Sequence, residues 1–146
     1  MLCTFFGHKD APSHIKPLLR LTLIHLIKHH HVDLFYVGNQ GNFDLMVKKE
    51  LQQLKSHFPH IDYVIVLAYL PVSKTSLEKT ECLHTLYTEI LEHTPPKYAI
   101  SKRNRWMIDQ ADYVVTYVKY STGGAATYKE LAQKKGKHLV NLADYL

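Results

Sequence analysis

The chain has 146 residues, a length typical of one domain, and 46% of them are hydrophobic against 21% charged. This balance argues against disorder and is typical of a globular fold with a sizeable core. Eighteen Lys and Arg against 13 Asp and Glu give a formal net charge of +5, a modest excess that suits an anionic partner without requiring one. The apolar stretches are shorter than the ~20 residues of a spanning helix, and the start lacks a signal peptide's features, so we predict a cytoplasmic protein without membrane contact.

The cysteines and the histidine run offer little metal or redox chemistry. Cys3 and Cys82 form no CxxC pair and are too few for a disulfide framework or a thiolate zinc site, so both are predicted to be buried thiols. The run of three histidines at 29–31 ends an amphipathic helix, and three consecutive helical residues point in different directions. We therefore predict a helix end that suits the helix dipole, and no metal site.

Short runs rich in β-branched and aromatic residues alternate with segments of helical period, which indicates an α/β domain with a parallel sheet. The predicted strands are 2–6, 34–37, 61–68, 113–118 and 138–142. The first predicted helix is capped by Ser13, with Pro17 in its first turn, and a later one is capped by Ser101 and runs to Gln110. Other helices are predicted at 43–58, within 83–91 and at 123–135. The prediction is a single doubly wound domain, 1–146, with a mainly parallel five-stranded sheet in the order 3-2-1-4-5.

Glycine and polar clusters fall where a strand ends or a helix begins. In an open α/β sheet such positions border the ligand crevice, glycine allows close backbone approach, and free amides at a helix start suit phosphate. We therefore predict a ligand site, although each glycine can also be no more than a tight connection. Its candidate residues are Gly7, His8, Lys9, Gly38, Asn39, Gln40, Gly41, Asp44, Arg103, Asn104, Arg105, Thr122, Gly123 and Gly124.

Several of these side chains have a plain structural alternative. Arg103 and Arg105 suit phosphate, or they are exposed charges in the first turns of a helix. His8 can donate to a phosphate or carry a proton, or it is a loop residue without a partner. Asp44 either contacts ligand or caps the second helix. Asn104 can cap or contact a ribose hydroxyl, and the amides of Asn39 and Gln40 suit a base or sugar edge.

The aromatic residues beside these clusters favour packing over ligand contact. Trp106 and Met107 are predicted to be core contacts. Tyr113, Tyr117 and Tyr120 lie on or just beyond the fourth predicted strand, and their default role is sheet packing, with stacking on a ligand base as the minor alternative.

Five phrases along nearly the whole chain carry a family resemblance: CTFFGHKD (3–10), FYVGNQGNFD (35–44), ISKRNRWMIDQADYVVTYV (100–118), STGGAATYKEL (121–131) and the closing KKGKHLVNLA. In this order they resemble the SLOG superfamily, and within it the small stand-alone bacterial proteins of unknown function. The resemblance implies a Rossmann-like fold that binds a nucleotide or nucleotide-derived ligand. The superfamily includes the LOG phosphoribohydrolases and the DNA-processing protein DprA.

The LOG enzymes carry a motif of the form PGGxGTxxE and an upstream Arg shortly before a Met. The resemblance places Gly123, Gly124, Thr127 and Glu130 on that motif, and Arg103 four residues before Met107. It implies that Thr127 helps to bind ligand and that Glu130 stabilises the positive charge developing on a ribose during N-glycosidic cleavage. Thr122 and Ala126 depart from the motif's Pro and third Gly, which loosens the loop. Glu130 can equally be a solvated carboxylate or pair with Lys134 at i+4.

Three functions therefore compete. The first is binding or sensing of a nucleotide-type ligand, with no certain cofactor. The alternative is a LOG-like nucleoside monophosphate phosphoribohydrolase with Glu130 and Arg103 as catalytic residues. A nucleic-acid binder resembling DprA is the weakest, because the basic residues form no stripe interleaved with aromatics, so nucleic acid is not the expected partner. The sequence is compatible with a homo-oligomer.

Overall fold

The fold is built on a six-stranded parallel sheet, seen in a computed structural model that describes residues 1–69, 85–86, 88, 91 and 93–146. The strands are β1 (Leu2–Gly7), β2 (Leu34–Val37), β3 (Asp62–Val66), β4 (Thr85–Leu86), β5 (Tyr113–Tyr117) and β6 (His138–Asn141). Their order is β4-β3-β2-β1-β5-β6, and every neighbouring pair is parallel. The predicted doubly wound, Rossmann-like architecture is confirmed, including the order of its five predicted strands.

The prediction of five strands is wrong by one, because β4 adds an edge strand beside β3. The sequence predicts a helix across this segment, but Leu86 pairs with Val66, and its carbonyl accepts a hydrogen bond from the Leu67 amide at 2.8 Å. A strand of two residues is too short to show the alternating hydrophobic pattern by which strands are predicted. The rest of that predicted helix, at 83–84, 87 and 89–90, lies outside the described residues, as does Cys82.

Helices cover both faces of the sheet. They are α1 (Lys16–His29), α2 (Gly41–His57), α3 (Pro96–Gln110) and α4 (Gly124–Lys134), with 3-10 turns at Ser13–Ile15 and Leu142–Tyr145. On one face, Leu19 of α1 and Val47 of α2 share a core with Phe5 of β1. On the other, Met107 of α3 and Ala132 of α4 share a core with neighbouring strand residues. None of the helices in the described part of the chain has the length and apolar character needed to span a bilayer.

Burial on both faces explains why β1 is apolar apart from Thr4. Cys3 and Phe5 point into the first core and Phe6 into the second, and all three are buried. The prediction of a buried thiol is confirmed for Cys3, and burial raises the pKa of this thiol. Thr4 is buried as well, and its hydroxyl donates to the Tyr36 carbonyl at 2.9 Å.

Both predicted serine caps are wrong. Ser13 begins a 3-10 turn after Pro12 and makes no capping hydrogen bond. Ser101 lies inside α3, which already begins at Pro96, because proline is well suited to the first turn of a helix. The prediction of Pro17 in the first turn of α1 is confirmed. The early start of α3 moves Arg103 out of the first turn, where the sequence placed it, into the middle of the helix.

The aromatic residues mostly pack as predicted. Met107 is buried in the second core, and Trp106 stacks on Tyr36 with ring centroids 5.4 Å apart. Tyr113 and Tyr117 both pack on the first core, as expected for alternate residues of one strand.

Candidate functional site

A cavity of about 520 Å³ opens beyond the carboxyl ends of β1, β2 and β5. The strand order reverses between β1 and β5, and in doubly wound sheets such a switch point is where ligands bind. The structure brings many of the predicted residues to this one cavity. Those that line it are Gly7, His8, Lys9, Gln40, Asp44, Arg103, Asn104, Thr122 and Gly124.

Among the described residues Arg103 is the largest fully buried side chain, and it forms part of the cavity wall. Its Nη1 donates to Asn39 Oδ1 at 2.9 Å and to the Val66 carbonyl at 3.4 Å, while Nε and Nη2 both donate to Asn104 Oδ1. The guanidinium therefore ties the ends of β2 and β3 to α3. The alternative of an exposed surface charge is wrong for Arg103, and most of its donors already have protein partners.

Asp44 carries the carboxylate that most affects the charge of this guanidinium among the described residues. Burial lowers the pKa of Arg103, and the nearby carboxylate of Asp44 acts in the opposite direction. None of the ion pairs in the described part of the chain includes Arg103, so Asp44 influences it without direct contact. A buried guanidinium at the wall of a cavity is a group that can attract an anion into the adjoining space.

Asp44 lies in the first turn of α2 and lines the cavity at the same time. Its Oδ2 accepts a hydrogen bond at 2.9 Å from the backbone amide of Gln40, so it bonds back to the N-cap residue from inside the helix and is not itself the N-cap. Burial nevertheless raises the pKa of this carboxyl to about 6, against the lowering effects of the Gln40 amide and Arg103. Gly38 lies against both charged groups. A Cβ there would lie 2.7 Å from Asp44 Oδ2 and 3.2 Å from Arg103 Nη2.

Two glycines let the loop after β1 dock against the start of α2. A Cβ at Gly7 would overlap the Phe43 ring, so only glycine allows this close approach. Gly41 has a φ of +89°, and a Cβ there would lie 2.7 Å from the Lys9 Cα. The Asn42 amide donates to the Lys9 carbonyl at 2.8 Å, which joins the two predicted clusters.

His8 has a defined partner, which excludes the alternative of an unpartnered loop residue. Its Nε2 accepts a hydrogen bond from the Lys119 amide at 2.9 Å. In the neutral ring the proton must then be on Nδ1, which makes Nδ1 the donor. The ring lies 5.2 Å from that of Tyr120 and edge-on to Tyr117. Tyr120 lines the cavity, so it lies beside the site rather than in the sheet packing that was its default role.

The first turn of α4 opens into the cavity. Gly123 is the N-cap residue, with a φ of +105°, and no side chain caps the helix. Gly124 lines the cavity, and a Cβ there would meet no atom within 4 Å. The first amides of a helix lack internal partners and carry partial positive charge, so this end suits an anion.

Seven candidates from the sequence do not line the cavity: Gly38, Asn39, Gly41 and Gly123, described above, and Arg105, Thr127 and Glu130. Arg105 is exposed on α3, two residues from the buried Arg103. Thr127 donates its hydroxyl back to the Gly123 carbonyl at 3.1 Å, within α4 itself. The Glu130 side chain is 68% exposed and lies 3.7 Å from Lys134 Nζ, the i+4 pairing that was its structural alternative.

Sequence reasoning missed Tyr128, which lines the cavity and stacks on Phe6 with ring centroids 5.3 Å apart. The sequence contains a pattern that predicts this position. Tyr128 follows Gly124 by four residues, and residues at this spacing share a helix face. Asp10, one residue beyond the predicted cluster at the end of β1, was also missed.

No family model matches the chain, and no curated protein matches it. Among solved structures it is similar to DNA processing protein A (DprA) from Streptococcus pneumoniae, with a TM-score of 0.68 and 14% sequence identity. The match covers 94% of this chain and 48% of that one, so the chain spans about half the length of DprA. This likeness shows a shared Rossmann-like fold.

Proposed function

We propose that the chain binds a nucleotide or nucleotide-derived ligand in the cavity at the carboxyl edge of the sheet. Phosphate would lie at the first turn of α4, close to Gly124, with Lys9 and Arg103 adding positive charge. The carboxylate of Asp44 and the ring of His8 offer an acceptor and a donor to sugar hydroxyls or a base edge. The observation that carries the proposal is the buried Arg103, which shares one cavity with a free helix N-terminus.

The proposal includes membership of the SLOG superfamily as a single domain over residues 1–146. The ordered motifs of the sequence support it, and the fold shared with DprA is compatible with it. The name of DprA refers to DNA processing, which keeps a nucleic acid among the ligands to be tested. The cavity favours a small molecule, because its volume of about 520 Å³ falls within the ~300–1,000 Å³ of pockets that hold small ligands.

A thermal-shift experiment with AMP as the first probe tests the proposal, since a ligand that binds the native state raises the melting temperature. ADP, ADP-ribose, cyclic and linear dinucleotides and a short single-stranded oligonucleotide form the rest of the panel. We expect at least one mononucleotide or dinucleotide to raise the melting temperature in proportion to the logarithm of its concentration. A response to the oligonucleotide alone would favour the nucleic-acid binder, and no response at all would reject the proposal.

Gly124→Val is expected to weaken the binding of the responding nucleotide at least ~10-fold, which corresponds to about 1.4 kcal/mol. A Cβ at Gly124 would meet no atom within 4 Å, so we expect the variant to fold. Gln133→Val is the matched control, because it places the same side chain on the exposed face of α4. Titration calorimetry measures both, and equal affinity in the two variants would contradict a ligand position beside Gly124.

We expect binding without hydrolysis. Incubation with AMP, GMP or CMP should release no free base above a buffer control on chromatography. Glu130→Gln should leave nucleotide affinity unchanged, because its carboxylate is exposed and lies beside Lys134. Steady release of base that Glu130→Gln abolishes would replace the binding proposal with the hydrolase alternative.

A further inference from the structure

Four histidines gather at the edge of the sheet opposite to the candidate site. His25, His29 and His30 lie at the end of α1, and His138 is the first residue of β6. The rings of His25 and His30 have centroids 4.9 Å apart, and those of His25 and His29 lie 5.1 Å apart. The histidine run at 29–31 was predicted to hold no metal, but His25 lies one turn earlier on the same helix and contacts His29 and His30.

We propose that His25 and His30 form a two-histidine site for Zn²⁺ or a similar borderline divalent cation. Their Nε2 atoms lie 3.2 Å apart. Two imidazole nitrogens bound to one tetrahedral zinc at 2.0–2.1 Å would be about 3.3 Å apart, so the pair already has the spacing that the ion requires. The cation would take the place of the proton that the two rings share at this distance.

The end of α1 brings the two rings together. His29 is the last helical residue, and His30 is the C-cap with a φ of −123° and a ψ of 9°, so its backbone has left the helix. The His30 amide still bonds to the Leu26 carbonyl, which keeps the residue against the last turn. His30 can therefore meet His25 at a spacing of five residues, which does not face across a regular helix.

Tyr113 is the positioning residue of this site. Its hydroxyl lies 3.3 Å from His30 Nδ1, and its ring stacks on His138 with centroids 4.9 Å apart. When the Nδ1–H of His30 donates to this hydroxyl, the lone pair is on Nε2, which is the atom that faces His25. Metal-binding histidines usually make such a bond with their other nitrogen.

The site would be open rather than closed. A groove of about 470 Å³ beside it is lined by His25, His30, Tyr113 and His138 and has room for the remaining ligands of the ion. Within the described residues no group of three or more His, Cys, Asp or Glu side chains is arranged to hold a metal. In this proposal water fills the other positions, as in sites where zinc keeps exchangeable ligands.

Calorimetric titration of ZnCl₂ into EDTA-treated protein without a polyhistidine tag tests the proposal. We expect one ion per chain, and at least ~10-fold weaker binding in His25→Ala and in His30→Ala. His29→Ala and His14→Ala are the controls, and both should bind zinc like the native chain. Tyr113→Phe should weaken zinc binding several-fold while its melting temperature and its response to nucleotide stay unchanged.

Two results would overturn the proposal. One is the absence of stoichiometric zinc binding by the native chain. The other is an equal loss in His29→Ala and His30→Ala, since the ligands would then be other members of the cluster. Circular dichroism on each variant shows whether it is folded. The outcome is independent of the nucleotide site, which lies at the other edge of the sheet.

Discussion

Arg103→Ala is expected to lower the free energy of unfolding by about 2 to 3 kcal/mol, the scale of hydrogen bonds made by a charged group. The substitution removes the donors that Asn39 Oδ1, Asn104 Oδ1 and the Val66 carbonyl now use. Asn104 and Val66 are buried, so their oxygens would lose partners that water cannot readily replace. Urea denaturation at pH 7.5 measures the change.

Arg105→Ala is the matched control for this substitution. Arg105 carries the same side chain on the same helix but is exposed, so its loss should change the stability by less than about 0.5 kcal/mol. Similar losses in the two variants would mean that the network around Arg103 does not stabilise the fold. The experiment also shows why Arg103→Ala is a poor test of nucleotide binding, because a variant with a disturbed cavity wall cannot separate lost ligand contacts from lost structure.

The sheet could be predicted because its strands are buried on both faces. The 34–37 strand is a short apolar run between Asp33 and Gly38, and its predicted bounds are those of β2. The order of the five predicted strands followed from the preference of parallel strands for right-handed βαβ connections. The edge strand β4 could not be predicted in this way, because a two-residue pairing with β3 depends on a tertiary contact and leaves no pattern.

The start of α3 shows where local rules fail. Ser101 looked like a cap because serine is favoured at N-caps, but Pro95 and Pro96 already provide the extended residue and the first helical residue. The N-cap was predicted six residues too late, at Ser101 instead of Pro95, which placed Arg103 near a helix start. The helical spacing predicts better which arginine is buried. Arg103 and the buried Met107 are four residues apart and share a helix face, whereas Arg105 lies on another face.

The positions of the site residues were predictable to the level of loops, but their partners were not. The clusters after β1 and β2 and at the start of α4 do converge on one cavity, because parallel strands end at the same edge. Loop conformations determine two of these contacts: the hydrogen bond from the Lys119 amide to His8 and the hydrogen bond that Asn39 accepts from Arg103. Such contacts bring together residues distant in sequence, and no local pattern encodes them.

Asp44→Asn is expected to stabilise the protein at pH 7.5 and to have little effect near pH 4. The pKa of Asp44 is about 6 in the folded chain against an ordinary value of 3.8. A carboxyl with a raised folded pKa contributes stability below its unfolded pKa and loses that contribution as the pH rises through the folded pKa. Between pH 3.8 and about 6 the free energy of unfolding of the native chain should fall by up to about 3 kcal/mol relative to that of the variant. The Asn side chain can still accept the Gln40 amide through its oxygen.

Urea denaturation at pH 4, 5, 6 and 7.5 measures the difference in the free energy of unfolding between the native chain and Asp44→Asn. Asp10→Asn is the control, because Asp10 is an exposed carboxylate that lines the same cavity. If Asp44 were only a cap, its negative charge would favour the N-terminus of α2 and Asn would destabilise the protein at neutral pH. A stabilising, pH-dependent effect would instead mean that the carboxylate remains in the cavity at the expense of stability. Polar groups that destabilise a fold where they stand are typical of functional sites, so this result would support Asp44 as a ligand contact.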